Sequence, residues 1–83
     1  MDIRTELLSL MDGALNLGGR GLRFDEATSL IGALPELDSM GVVSLLTALE
    51  ERLGIVIEDD EIDGSIFQTF GTLLEFVQRK ASA

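Results

Sequence analysis

The sequence contains no cysteine and no histidine. Without cysteine the chain can form no disulfide, thiolate nucleophile or thiolate metal site. Without histidine it lacks the side chain that most often acts as catalytic base and metal ligand near neutral pH. The only lysine, Lys80, lies near the C-terminus and is a poor substitute base. A stand-alone enzyme is therefore the least favoured class of function.

Basic residues are scarce as well: six stand against fifteen acidic residues, for a formal net charge of −9. Such a chain repels nucleic acid and anionic membranes and attracts proteins with basic patches. It has neither the basic start and apolar run of a signal peptide nor a segment as long as a membrane span. We expect a cytoplasmic monomer with protein partners and no contact with nucleic acid or membrane.

The length of 83 residues allows one hydrophobic core, so a single domain over residues 1–83 is expected. Three stretches have the apolar periodicity of helices. The first runs from residue 2 to about 15, and the strongest is Ser39–Leu53, which Gly54 ends. The last begins after Thr69, a candidate N-cap, and carries two basic residues in its final turn.

The remaining stretches predict one more short helix and a long loop. The acidic run that begins at Glu58 favours a brief helix through Ile66 or Phe67, although Gly64 weakens it. Before Ser39 lies a long loop, with residues 18–21 as a flexible connection and Leu30, Ile31 and Leu34 as anchors to the core. The predicted fold is an all-α, small four-helix bundle with a long loop between helices 1 and 2.

The sequence Leu37-Asp38-Ser39-Met40 leads directly into the strongest helix. Ser39 is therefore expected at a helix N-terminus, where free backbone N–H groups and the helix dipole favour an anion such as a phosphate ester. The residues alone are equally compatible with Asp38 or Ser39 acting as an ordinary N-cap. Met40 lies on the polar side of this helix, so a large apolar side chain is exposed beside Ser39.

The exposed side of the same helix predicts a docking surface for a protein partner, with apolar contacts and carboxylates that can pair with basic residues. Its candidate partner-binding residues are Met40, Val43, Ser44, Thr47, Glu50 and Glu51.

In these residues the chain resembles the acyl carrier protein family. The resemblance covers residues 37–77 and is carried by the Leu37-Asp38-Ser39-Met40 motif, by the apolar and acidic residues of the helix after it, and by Ile57 with the acidic run. It implies a four-helix carrier protein in which Ser39 receives phosphopantetheine from coenzyme A. It also implies that Asp38 is the family acid beside the serine, associated with the metal and the transferase.

The resemblance further implies what the carrier does. The thiol of the arm would hold an acyl or aminoacyl group as a thioester, and the second helix would bind partner enzymes. These partners are a phosphopantetheinyl transferase and an acyl or aminoacyl ligase, acyltransferase or ketosynthase. If the acyl chain enters the protein, its candidate lining is Leu46, Leu49, Ile57 and Ile66, together with Val43; for each of them, plain core packing is the alternative.

Some positions depart from the usual carrier of fatty acid biosynthesis. Gly41 and Ser44 stand where that carrier has acids, and Arg52 adds a positive charge. The Asp-Ser-Met-Gly sequence is also similar to the motif of D-alanyl carrier proteins. A dedicated carrier in a specialised lipid or secondary-metabolite pathway is therefore favoured. The alternative is an unmodified helical module for protein interaction, in which Ser39 is merely a cap.

A calcium site is not expected. Asp59, Glu61, Asp63 and Gly64 imitate the opening of a calcium-binding loop, but the position that should close it with Glu is Phe70. The acids are better explained as a solvated surface at a helix start.

Overall fold

The computed structural model describes residues 2–82 and contains the three long helices that the periodicity predicts. α1 spans Ile3–Ala14, α2 spans Ser39–Leu53 and α3 spans Phe70–Ser82. The only strand-like pairing in this part of the chain is one isolated bridge between Ser29 and Thr69. The all-α class is thus confirmed. Within residues 2–82, no helix is long and apolar enough to cross a membrane.

The prediction of a fourth α-helix is wrong. In its place the chain forms two separate 3₁₀ turns, Asp59–Glu61 and Gly64–Phe67, with Ile62 and Asp63 in extended conformation between them. The Asp63 carboxylate accepts the backbone N–H of Ser65 at 2.8 Å. Such local side-chain bonds to the backbone compete with continuous helix, and Gly64 weakens the helix further. The bundle of residues 2–82 therefore has three α-helices, with a third 3₁₀ turn at Arg20–Arg23.

The core lies between α1 and each of the other two helices, whereas α2 and α3 make few contacts with each other. Fully buried side chains occur at helical spacing on all three helices. They are Leu7 and Met11 on α1, Leu45 and Leu49 on α2, and Phe70, Leu73 and Val77 on α3. Burying each such side chain contributes roughly 1.5–3 kcal/mol relative to exposure. The burial of Leu45 and Leu49 therefore holds α2 against α1.

The long loop between α1 and α2 is attached to the bundle at both of its halves. Its first half is held by Arg4 of α1, whose Nε donates to Glu26 at 3.0 Å. In its second half Leu30 is fully buried, as predicted, and the N–H of Ile31 donates to the carbonyl of Phe67 at 2.9 Å. The Ile31 side chain is 49% exposed. Its prediction as an apolar anchor is therefore wrong, because its backbone makes the attachment.

The glycine-rich stretch at residues 18–21 is a hydrogen-bonded corner and not the flexible connection that the sequence predicts. The Asp12 carboxylate of α1 accepts the N–H of Gly19 at 2.8 Å and that of Gly21 at 3.0 Å. Gly19 has φ +98°, which other residues rarely adopt. A Cβ at Gly21 would lie 3.0 Å from the Cβ of Asp12. The corner is thus fixed on α1.

Candidate functional site

Ser39 is the first residue of α2, and its side chain is exposed. The N-cap is Asp38, whose carboxylate accepts the backbone N–H of Gly41 at 2.8 Å. Leu37, just before it, is buried and only 5% exposed. Of the two candidate N-caps, Asp38 and Ser39, it is therefore Asp38 that caps α2. The hydroxyl of Ser39 has no hydrogen-bond partner within residues 2–82 and faces solvent.

The backbone around Ser39 suits an anion. The N–H groups of Gly41 and Val42 are bonded to the side chain and the carbonyl of Asp38. Those of Ser39 and Met40 belong to the first turn, where no intrahelical acceptor exists. Free N–H groups and the positive end of the helix dipole stabilise a negative group attached at this position.

Gly41 lets the preceding loop approach the helix closely. A Cβ at this position would lie 2.2 Å from the carbonyl oxygen of Glu36 and 3.1 Å from a methyl carbon of Leu15. The first distance is far below any real contact with a backbone atom. A glycine at position 41 is therefore required by the path of this loop.

The predicted partner-binding residues lie on one exposed side of α2, with one exception. Met40 is 73% and Val43 is 59% exposed, and Ser44, Thr47 and Glu51 are exposed with them. Glu50 is half-buried, and its carboxylate accepts the N–H of Ile57 at 3.0 Å. Glu50 therefore fixes the chain after α2, a contact that no local pattern in the sequence indicates.

The acids near this side of α2 have no cationic partner among the described residues. Arg52, the one base on α2, instead pairs with Glu6 of α1 at 3.1 Å. Its charge is thus offset on the far side of the helix. Among the acids on α2 and the segments next to it, those without an ion pair within residues 2–82 include Asp38, Glu50, Glu51, Glu58, Asp59 and Asp60.

A small cavity lies beside α2 where the helix meets the following turn. It measures about 200 Å³ and brings together three of the five predicted acyl-lining residues, Val43, Leu46 and Ile57. Ile62 lines it as well. Sequence reasoning missed Ile62, whose only signal was an apolar residue within an acidic run. Typical ligand pockets are larger, roughly 300–1,000 Å³.

The other two predicted acyl-lining residues lie elsewhere. Leu49 is fully buried in the core. Ile66 lines a second cavity, of about 450 Å³, between the 3₁₀ turns and α3, where Lys80 donates to Glu61 at 2.8 and 3.0 Å. Within the described part of the chain, no group of three or more acidic residues is arranged to hold a metal ion.

Both the fold and the sequence match a solved structure. The solution NMR structure of a holo acyl carrier protein from Nitrosomonas europaea is similar to this chain with a TM-score of 0.89 and 40% sequence identity, over 100% of each chain. The chain belongs to the acyl carrier protein family. No protein-family model and no curated protein matches it. As a family member it is a carrier protein and not an enzyme, so the predicted resemblance is confirmed.

Proposed function

We propose that Ser39 is the attachment point of a phosphopantetheine arm, and that the chain is a single carrier domain which presents an acyl or aminoacyl thioester to partner enzymes. One observation carries this proposal: Ser39 is the exposed first residue of α2, and Asp38 rather than Ser39 makes the capping bond. The holo state of the similar acyl carrier protein supports the presence of the prosthetic group.

The residues around Ser39 fit such an arm. The Ser39 oxygen would bond to the phosphorus of coenzyme A that carries the pantetheine arm, while the pyrophosphate bond of coenzyme A breaks and releases adenosine 3′,5′-bisphosphate. The serine proton would pass to a base of the transferase, since this chain contains no histidine. The N–H groups of Ser39 and Met40 lie where the negative phosphodiester would remain. Once attached, the arm supplies the thiol that holds the cargo, which the cysteine-free chain cannot supply itself.

Partner enzymes are proposed to dock on the exposed side of α2 through Met40, Val43 and the carboxylates beyond them. Exposed apolar side chains next to unpaired acids suit a basic surface with an apolar centre, and opposite charge accelerates association. The expected partners are a phosphopantetheinyl transferase and an acyl or aminoacyl ligase, acyltransferase or ketosynthase. The chain's net charge of −9 supports the same choice of partner surface.

A specialised lipid or secondary-metabolite pathway is proposed because the first half of α2 differs from that of a general carrier. Gly41 and Ser44 carry no charge there, and the first exposed acid on this side of the helix is Glu51. The cavity beside α2, with about 200 Å³, is small for a ligand pocket. If the cargo enters this cavity rather than the larger one lined by Ile66, the size of the cavity favours a short acyl or an aminoacyl group.

Intact mass spectrometry tests the attachment. The purified chain is incubated with coenzyme A and a broad-specificity phosphopantetheinyl transferase, and we expect the mass to rise by one phosphopantetheine group. Ser39→Ala should stay unmodified, whereas Ser9→Ala, which changes an exposed serine on α1, should be modified like the wild type. An unchanged wild-type mass would instead support the unmodified interaction module.

A further inference from the structure

The glycine-rich corner and the start of α2 are joined by one side-chain pair. Arg20 follows Gly19 in the corner, and its Nε donates to the carbonyl of Leu17 at 3.1 Å. The terminal nitrogen of the same side chain donates to the carboxylate of Glu36. Because Asp12 holds the corner on α1, the guanidinium that reaches Glu36 starts from a fixed backbone.

Glu36 is bound through both its side chain and its main chain. Its carbonyl oxygen lies so close to α2 that a Cβ at Gly41 would be 2.2 Å away. One carboxylate oxygen pairs with Arg20, and the other is buried without a hydrogen-bond partner among the described residues. Bonds from its own backbone N–H and from Arg20 lower the pKa of the Glu36 carboxyl, so it remains charged. Arg20 is thus the side chain that keeps this carboxylate in place.

In the sequence, Ser39 lies between Glu36 and Gly41, three residues after the first and two before the second. We propose that Arg20 and Glu36 are positioning residues for the modification of Ser39: they fix the chain that leads into α2 and thereby the direction of the serine hydroxyl. This inference rests on the proposed function, because the modification of Ser39 is the reaction that the two residues would serve.

The physical reason lies in the geometry that group transfer requires. A displacement of about 1 Å in a reacting atom can cost a large factor in rate, up to about 100-fold. Exposed ion pairs contribute little to global stability, so loss of the Arg20 pair should leave the chain folded. It should instead let residues 36–38 move relative to α2, which lowers the turnover of the transferase on Ser39 more than it weakens docking.

The test measures kcat and KM of a phosphopantetheinyl transferase on the full chain, with coenzyme A as donor. For Arg20→Met we expect kcat to fall about 5- to 10-fold and KM to change less than about twofold. Arg20→Lys, which keeps the charge, should retain most of the kcat. Arg23→Met is the matched control: Arg23 lies in the same 3₁₀ turn, is exposed and has no acidic partner within residues 2–82. It should behave as wild type.

A double-mutant cycle separates positioning from direct contact with the enzyme. If Arg20 acts through Glu36, Arg20→Met should lower kcat no further in the Glu36→Gln background. The proposal would be overturned if Arg20→Met lowers kcat equally in both backgrounds, or if it raises only KM. It would also be overturned if Arg20→Met and Arg23→Met lower kcat by the same factor. A wild-type chain that accepts no group would instead contradict the proposed function itself, so the two failures are distinguishable.

Discussion

The two ends of α2 are held in different ways. At its start, Asp38 caps the helix and the carbonyl of Glu36 packs against Gly41, so backbone lies on backbone. At its end, Gly54 stops the helix, and the first part of the connection to α3, residues 55–63, is hydrogen-bonded to the helices through the side chains of Glu50 and Lys80. The start of α2, with Ser39, is therefore held by backbone contacts, whereas the neighbouring wall of the cavity depends on side-chain contacts that can open.

The largest expected effect comes from Gly41→Ala at the fixed end. Its Cβ cannot coexist with the Glu36 carbonyl, so the loop must shift, and overpacking of this kind costs roughly 1–3 kcal/mol. Thermal and urea unfolding measure the loss. Gly13→Ala is the matched control, because Gly13 lies in α1 with nothing within 4 Å of its would-be Cβ. It should gain up to about 1 kcal/mol from helix propensity. If both variants are stabilised, the close approach at Gly41 is contradicted.

The next effect compares two aspartate caps. Asp38→Ala removes the cap of a 15-residue helix and should cost about 1 kcal/mol in urea unfolding. Asp63→Ala removes the cap of a 3₁₀ turn of 4 residues and should cost less, because the cap of so short a turn organises far fewer backbone hydrogen bonds than the cap of α2. An equal or larger loss for Asp63→Ala would reverse the proposed order of the two ends.

A smaller global effect is expected from Lys80→Met. The variant breaks the pair with Glu61 that ties the connection to α3, so amide hydrogen exchange at residues 58–66 should accelerate several-fold. The midpoint of unfolding should change little. Arg79→Met, next to it and without an acidic partner within residues 2–82, is the control. If the amides of residues 58–66 exchange at the same rates in Lys80→Met and in the wild type, the pair does not hold the connection.

The smallest effect concerns acid. At one end, the backbone N–H of Glu36 and the side chain of Arg20 lower the pKa of the Glu36 carboxyl below the ordinary 4.5. At the other end, Lys80 and the N–H of Glu58 lower the pKa of the Glu61 carboxyl in the same way. The unfolded chain therefore takes up these protons first as pH falls, so the contribution is complete above about pH 5 and is lost below it. The midpoint of urea unfolding should decrease as the pH is lowered from about 5 to 3. In Glu61→Gln this midpoint should decrease less steeply with pH. If its pH dependence equals that of the wild type, the Glu61 carboxyl does not contribute.

Much of the fold could be predicted because its signals are local. Apolar periodicity located α1, α2 and α3 to within about two residues, and Thr69 caps α3 by exchanging hydrogen bonds with Thr72 at 3.1 Å each. The exposure of Met40 followed from its place on the helical wheel. The acyl carrier protein resemblance was carried by residues 37–40 and the helix after them, which is also a local pattern.

The remaining features depend on contacts between residues far apart in the chain. Nothing near residues 18–21 indicates that Asp12 binds their N–H groups, nor that Arg20 reaches Glu36. Nothing near Glu50 shows that its carboxylate bonds to Ile57 instead of remaining free for a partner. The fourth helix failed for a related reason, since the Asp63 bond to the backbone of Ser65 competes with helix continuation in a way that composition does not measure.

The contrast between the two ends is tested most directly by the amide chemical shifts of the chain before and after a short acyl group is loaded on an arm at Ser39. Apart from the amides of Ser39 and Met40 beside the arm, we expect the largest changes at Ile57 and Ile62, which line the cavity. Gly41 and Val42, held by Asp38, should change little. Changes that are largest at Gly41 and Val42 and absent at Ile57 would show that the start of α2, and not the cavity wall, responds to the cargo.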